Sequence, residues 1–176
     1  HVPKKGVQAS LLRLTMSNLK LHIQTDLKTR TKSEGPRALK ALLKLRKIPM
    51  RIEAIDISEN QGKYPVGSVV SFQNGKPERE RYRRYRIRSE DATSDLDRVR
   101  EVFTRRLKRS NLPRWTLPDL FLIDGGRLQL NTALAVAKEL GFENLHIISL
   151  AKARNNREQE GIFLSNGKEL QPDERD

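Results

Sequence analysis

PDLFLIDGGRLQL, Pro118 to Leu130, is the stretch whose reading decides the fold. Leu120, Phe121, Leu122 and Ile123 form a continuous apolar run of strand length, bounded by Pro118 on one side and two glycines on the other, and it reads as a buried strand. The run ends in Asp124, passes through Gly125 and Gly126, and turns helical at once. A carboxylate at the end of a buried strand has two broad uses. It holds a turn or caps the next helix, or it is one ligand of a metal or phosphate site.

Outward from this stretch the pattern alternates. Downstream, a helix is expected from about Leu128 to Leu140, stopped by Gly141. A strand HIISL at 146–150 follows, then a short hairpin IFLSNGKEL turning at Asn166-Gly167. Upstream, a helix is expected from about Ser94 to Arg109. Before it lie three strands: RIEAIDIS at 51–58, VGSVVSF at 66–72 and a third from about Arg79 to Arg88, with Asn74-Gly75 as the hairpin turn between the second and third. A meander followed by alternating helices and strands predicts an α/β fold: a mixed sheet, an antiparallel three-strand meander plus parallel strands, with helices on its faces.

The first 48 residues are of another kind. Leu12, Met16, Leu19, Ile23 and Leu27 recur at helical steps from Gln8 to about Lys28. After a break at TKSEGPR, a shorter helix carrying Leu39, Leu42 and Leu43 can pair with the first as a hairpin, and Pro49 closes the section. The expected organisation is a helical segment over 1–48 packing on a domain over 49–176. No internal repeat is visible.

Charge narrows the partner. The 176 residues carry 35 Lys plus Arg against 22 Asp plus Glu, a formal net charge of +13, which favours a polyanion, nucleic acid above all. There is no cysteine, hence no disulfide framework and no thiolate metal site. With no signal peptide and no apolar run long enough to span a bilayer, the chain reads as soluble and cytoplasmic, with no membrane partner. It lacks an initial methionine and ends in a polar DERD, the mark of a fragment.

The acids sort by position. Asp56 lies near the end of the first strand on the face of Ile52 and Ala54, and Asp124 shares a face with Leu120 and Leu122. Neither is placed like an ordinary solvated charge. Glu90, Asp91, Asp95 and Asp97 cluster before and at the start of the next helix. Asp95 stands in helical register with Val99 and Val102 at the edge of the inward face, whereas Asp97 points away and complements the helix dipole behind a Ser94 cap. For Asp95, helix geometry leaves the dipole role and a site role equally open. Three carboxylates converging on one place repel unless a cation neutralises them, and carboxylate oxygen with no Cys or His cluster suits Mg2+ or Mn2+. Beside a basic surface, that set points to metal-assisted hydrolysis of a phosphodiester. An anion held at the helix N-terminus after Gly125-Gly126 is the weaker alternative, because the phosphate-loop spacing with Lys-Ser or Lys-Thr is missing. A second alternative is a nucleic-acid-binding module without chemistry.

Among the bases, Arg83, Arg84, Arg86 and Arg88 alternate along the third strand and cannot all face one ligand; some protect a sheet edge. Tyr82 and Tyr85, interleaved with them, are read mainly as packing. Arg84, Arg127 and Lys152 are the candidate nucleic-acid contacts.

The runs IEAIDISENQG, YRRYRIR, LPDLFLIDGGRLQLN and SLAKARN, in this order and spacing, resemble the carboxy-terminal endonuclease domain of the bacterial excision-repair family UvrC. The resemblance covers nearly the whole chain. It implies a ribonuclease H-like fold, a divalent-metal-dependent nuclease that makes the 5′ incision in damaged double-stranded DNA, a monomer, and a partner, UvrB, bound through a segment outside these residues. The family's catalytic aspartates fall on Asp56 in AIDIS, Asp95 in TSDLD and Asp124 in LIDGG. Its catalytic histidine belongs to a motif beyond Asp176, and His1, His22 and His146 do not match it, so these residues alone are expected to bind manganese but cut weakly. Three positions depart from the family pattern: Glu59 stands where a His is usual, Ser94 replaces an acid, and Leu128 replaces a Gly. The first leaves that loop's role open, while the other two leave the aspartates intact.

Overall fold

The apolar run at 120–124 does form a strand, and the sheet extends from it to both sides. A computed structural model describes residues 35–60, 64–89, 92, 94–151 and 161–170, the side chains of 59, 60 and 64 excepted. The expected first helix at 8–28, and with it His1, His22, Glu90, Asp91 and Lys152, lies outside the described residues.

Among the described residues, eight strands join in one sheet: β1 (Arg51–Asn60), β2 (Tyr64–Gln73), β3 (Lys76–Pro77), β4 (Arg83–Arg86), β5 (Leu120–Asp124), β6 (Ile147–Ala151), β7 (Gly161–Leu164) and β8 (Glu169–Leu170). Their order is β3-β2-β1-β5-β6-β7-β8, with β4 also paired to β2. β1 runs antiparallel to β2 and parallel to β5, and β5 is parallel to β6. Parallel neighbours need a crossover. The long excursion from β2 to β5 contains the helix α2 (Asp95–Lys108), and α3 (Arg127–Glu139) joins β5 to β6; a shorter α1 (Gly35–Leu42) precedes the sheet.

The two faces of the sheet have separate cores. On one, Ile55, Val69, Phe121, Ile123 and Ile147 pack against Val102, Phe103 and Leu107 of α2 and Leu130, Ala133 and Val136 of α3. Phe103 and Phe121 meet edge to face at 5.1 Å between ring centres. On the other, Ala54, Val70, Phe72, Leu120, Leu122 and Ile148 pack with Leu43, and Leu39 of α1 joins them. Leu39 and Leu43 therefore lie on the sheet. Each such side chain contributes roughly 1.5–3 kcal/mol of burial, so the run LFLI is held from both sides.

One glycine sets the distance between layers. A Cβ on Gly67 of β2 would stand 2.3 Å from Cγ2 of Val102 on α2, inside any permitted contact. Gly67→Ala is expected to cost about 1–3 kcal/mol through overpacking, read as a fall in Tm. An unchanged Tm would mean that the helix backs away without cost.

The meander differs from expectation at its third strand. Asn74 (φ 52) and Gly75 (φ 72) make the two-residue turn that Asn-Gly favours, but the strand it starts is only Lys76–Pro77. Pro77 has no N–H for a ladder. The chain then winds through a single 3-10 turn at Arg79–Arg81, held where Glu78 accepts from Ser71 Oγ at 2.9 Å and from Arg81 Nε at 2.9 Å. It rejoins β2 as β4, from Arg83 to Arg86. Tyr85 is buried in the α2 core while Tyr82 packs on the opposite face, so both tyrosines are packing residues.

The sheet and α2 are also joined by charge. Glu53 of β1 and Arg106 of α2 are 1% exposed each. Arg106 Nε donates to Oε2 at 2.5 Å and Nη2 to Oε1 at 2.7 Å, a two-bond pair. The remaining guanidinium donors reach the carbonyls of Trp115 and Thr116 at 3.2 and 3.1 Å, so the buried charge is both paired and hydrogen-bonded.

Candidate active site

The parallel register of β1 and β5 brings two carboxylates side by side. Ile52 is level with Leu120, and the register runs to Ile55 beside Ile123. The next step along both strands is Asp56 beside Asp124, on neighbouring strands about 4.8 Å apart. Alternation puts both on the face of Ala54 and Leu122, as their sequence positions imply, and both are half-buried. Asp95 arrives from elsewhere. It is the first residue of α2, on the opposite face of the sheet, and its side chain is 65% exposed with Arg98 Nη1 3.2 Å from its Oδ1.

All three aspartates line one cleft of about 480 Å3 at the carboxyl ends of β1 and β5, together with Ile57, Val99, Gly125, Gly126, Arg127 and Gln129. Strand ends meeting helix starts are where ligands gather in such sheets. The cleft is shared, but the three do not close into one cluster: among the described residues, no three Asp, Glu, His or Cys side chains stand close enough to hold an ion together. The reason is architectural. Two acids rise from adjacent strands, whereas the third comes from the start of a helix on the other face and pairs with Arg98.

Asp97 is a capping residue. Its Oδ2 accepts from Ser94 Oγ at 2.6 Å and Ser94 N at 3.1 Å, while Ser94 Oγ accepts from Asp97 N at 3.2 Å. Those Ser94 bonds hold its carboxyl below the usual range. Asp97 is absent from the residues lining the cleft, whereas Asp95 is among them. Glu101, one turn further, serves the approach to α2. Burial raises its carboxyl, but the backbone N–H groups of Ser89 and Arg88 and the guanidinium of Arg105 outweigh that and lower it overall.

The glycine pair shapes the floor. Gly125 has φ +147, and a Cβ there would come within 2.7 Å of Gln129 Cγ. Its N–H donates to Leu150 O at 2.9 Å, and the N–H of Gly126 donates to Gln129 Oε1 at 3.0 Å. Gln129 thus caps α3 from within. This occupies one of the donors that an anion at the helix start would use, which weighs further against that alternative. Sequence reasoning did not single out Gln129, although a Gln three residues after the cap position is a known signal.

Of the candidate bases, Arg127 lines the cleft, 3.4 Å from Glu169 and with its guanidinium 5.1 Å from the Phe163 ring centre. Arg84 does not line it; it borders a recess on β2 and β4. Leu128, which departs from the family pattern, is 65% exposed at the cleft's rim. His146 precedes β6, its carbonyl accepting from Phe121 N at 2.9 Å, a backbone role. A bound Mg2+ or Mn2+ fits the donor chemistry. Magnesium keeps several waters and typically takes one or two carboxylates plus substrate phosphate, and Asp56 beside Asp124 is such a pair.

Comparison with known proteins places the chain as a whole. The family model of the UvrC RNAse H endonuclease domain matches residues 40–176. UvrABC system protein C of Trichlorobacter lovleyi is 40% identical over 169 residues, covering 95% of this chain and 28% of that protein. Its counterpart in Ruminiclostridium cellulolyticum is 35% identical over 184 residues, covering 97% of this chain and 30% of that protein. The chain thus spans less than a third of the length of these curated relatives. Among solved structures, the catalytic domain of human endonuclease V is similar at 17% identity and a TM-score of 0.47, covering 92% of this chain and 73% of that one.

Proposed function

This chain belongs to the UvrC family as its RNase H endonuclease domain, and from that premise we propose that it is the divalent-metal-dependent nuclease that makes the 5′ incision in damaged DNA during nucleotide excision repair. One observation carries the reading: Asp56 and Asp124, singled out by their strand positions, and Asp95, on which the family's third aspartate falls, line a single cleft. The mixed sheet with flanking helices is the ribonuclease H-like architecture expected of that family.

Asp56 and Asp124 would hold the ion, with Asp95 facing them across the cleft. Mg2+ or Mn2+, when bound, supplies an activated water and stabilises charge on the scissile phosphate. The protein's own part is positioning. The half-buried acid pair fixes where the ion, and through it the phosphate, would sit, Arg127 offers a guanidinium beside it, and the glycine pair keeps the floor low enough for a strand to approach. The +13 charge of the chain supplies sequence-independent attraction to the backbone, so lesion choice falls to partners. UvrB, engaged through a segment outside these residues, is the expected one, with the nuclease a cytoplasmic monomer. Among the described residues no helix is long and apolar enough to cross a membrane. A binding module without chemistry is the poorer reading, since acids in a polyanion-binding cleft oppose binding unless a cation recruits them.

The test is incision of damaged duplex by the intact protein with its partners, in Mg2+ or Mn2+ and in chelator. Incision 5′ to the lesion is expected with either ion and should vanish with chelator. Undiminished cutting in chelator would overturn the metal role, and absence of cutting under every ion would favour the binding module.

A further inference from the structure

The acid pair is part of a longer row across the sheet. Asp56 of β1 is directly opposite Ser68 of β2, and Ser68 is directly opposite Arg84 of β4. Residues opposite one another in antiparallel strands point to the same face, so Arg84, Ser68, Asp56 and Asp124 lie side by side on one face. Arg84 stands about 10 Å from Asp56 by strand spacing, a gap that its own long side chain can shorten.

Three observations single out the Arg84 end. Ser68 is 3% exposed, and its hydroxyl has no hydrogen-bond partner among the described residues. Tyr82 Oη, two residues before Arg84 and on the same face, is a second buried hydroxyl without one. Both residues line a recess of about 370 Å3 together with Arg84. Finally, Arg84 itself makes no ion pair or hydrogen bond among the described residues. Its neighbours are engaged: Arg81 with Glu78, Arg105 with Glu101, and Arg83 over the Trp115 ring at 4.1 Å. Edge-strand protection accounts for an exposed arginine, but not for buried hydroxyls left unmatched beside it. Buried polar groups are normally satisfied, and an exception calls for a ligand or a functional role.

We propose that Arg84 and Ser68 form an anion site for the nucleic-acid backbone phosphate next to the one that an ion at Asp56 and Asp124 would hold. This deepens the nuclease reading and rests on it for the identity of the strand. A guanidinium supplies two parallel donors to a phosphate, and the Ser68 hydroxyl supplies a neutral donor at the base of the recess. Gripping the neighbouring phosphate fixes the direction and register of the strand across the acids. That is a positioning role: neither residue touches the bond that breaks.

The experiment measures DNA affinity of the intact protein over a range of salt without metal, using duplexes of unrelated sequence, and then the rate of incision with Mn2+. Arg84→Gln is expected to weaken binding roughly tenfold for all sequences and to reduce the slope of log affinity against log salt by about one. Arg84→Lys should restore the slope but only part of the affinity, since a point charge replaces a two-donor fork. Ser68→Ala should weaken binding a few-fold with the slope unchanged, and should leave Tm unchanged or higher because it deletes an unmatched hydroxyl. Lys138→Ala, at an exposed site on α3, is the control for loss of charge alone. The proposal falls if Arg84→Gln changes the slope no more than Lys138→Ala does, or if Ser68→Ala lowers Tm without touching affinity. Because affinity and slope are read without metal, the two ideas fail separately. A protein that binds through Arg84 but never cuts upholds this site and sinks the nuclease. Cutting with undiminished affinity in the Arg84 variants does the reverse.

Discussion

Asp56→Asn and Asp124→Asn are each expected to slow metal-dependent incision by about 10² to 10⁴ while leaving the protein folded and its affinity for DNA nearly intact. Both acids stand at adjacent strand ends, on one face, in one cleft. The diagnostic readout is thermal. An ion at a hundred times its dissociation constant stabilises the native state by about 2.7 kcal/mol, worth roughly 5–10 °C in a chain of this size. That gain should disappear in both variants. Asp95→Asn should also lose incision yet keep most of the metal-linked gain, because Asp95 is exposed and already neutralised by Arg98. Normal incision by any of the three would remove that residue from the site. Equal loss of the thermal gain in all three would mean that Asp95 swings in to bind the ion as closely as the other two.

Breaking the buried pair between β1 and α2 should produce the largest loss of stability. Arg106→Met leaves Glu53 charged, 1% exposed and unpaired, and strips two backbone carbonyls, of Trp115 and Thr116, of their donor. A cost of about 3–5 kcal/mol is expected, or a fall in Tm of roughly 6–20 °C. The double replacement Glu53→Leu with Arg106→Met should recover most of it, since apolar residues of similar volume in place of both charges are often neutral or better. Thermal unfolding of the two single variants and the double variant measures the coupling. If Arg106→Met alone unfolds within a degree or two of the parent, the pair contributes no net stability.

The contrast between these predictions reflects what the sequence made legible. Asp56 and Asp124 could be found because each breaks an apolar alternation at the end of a strand, a local signal. Ser94 and Asp97 announced a helix start by spacing, and Asn74-Gly75 announced a turn by backbone chemistry. Glu53 carried no such mark. In RIEAIDIS it alternates with apolar residues just as a solvated strand residue would, and only the arrival of α2 turns its face into core. Arg106 similarly reads as one more base in the run RRLKR. Ser68 is one small residue in VGSVVSF, and its significance rests on an unmatched hydroxyl and on its row, neither of which exists before β4 joins β2. The expected third strand is shorter in the structure, because Pro77 and Glu78 turn the backbone where the basic, aromatic-rich run gives no sign of it. Local chemistry was readable; pairings between distant segments were not.

The parallel seam between β1 and β5 also governs when the protein acquires its chemistry. Every contact between β1 and β2 closes within a hairpin, a short loop that forms early and at small entropic expense. The seam joins segments separated by the whole excursion through β4 and α2, and such non-local contacts are slow to form. The acid pair comes into being only when that seam closes, and its closing works against the repulsion of the charges it brings together. A nascent or misassembled chain can therefore own its hairpin, α2 and α3 and still lack the paired acids. By this topology the acid pair is expected among the last features to assemble, and a partly folded chain lacks the cleft that the proposed nuclease needs.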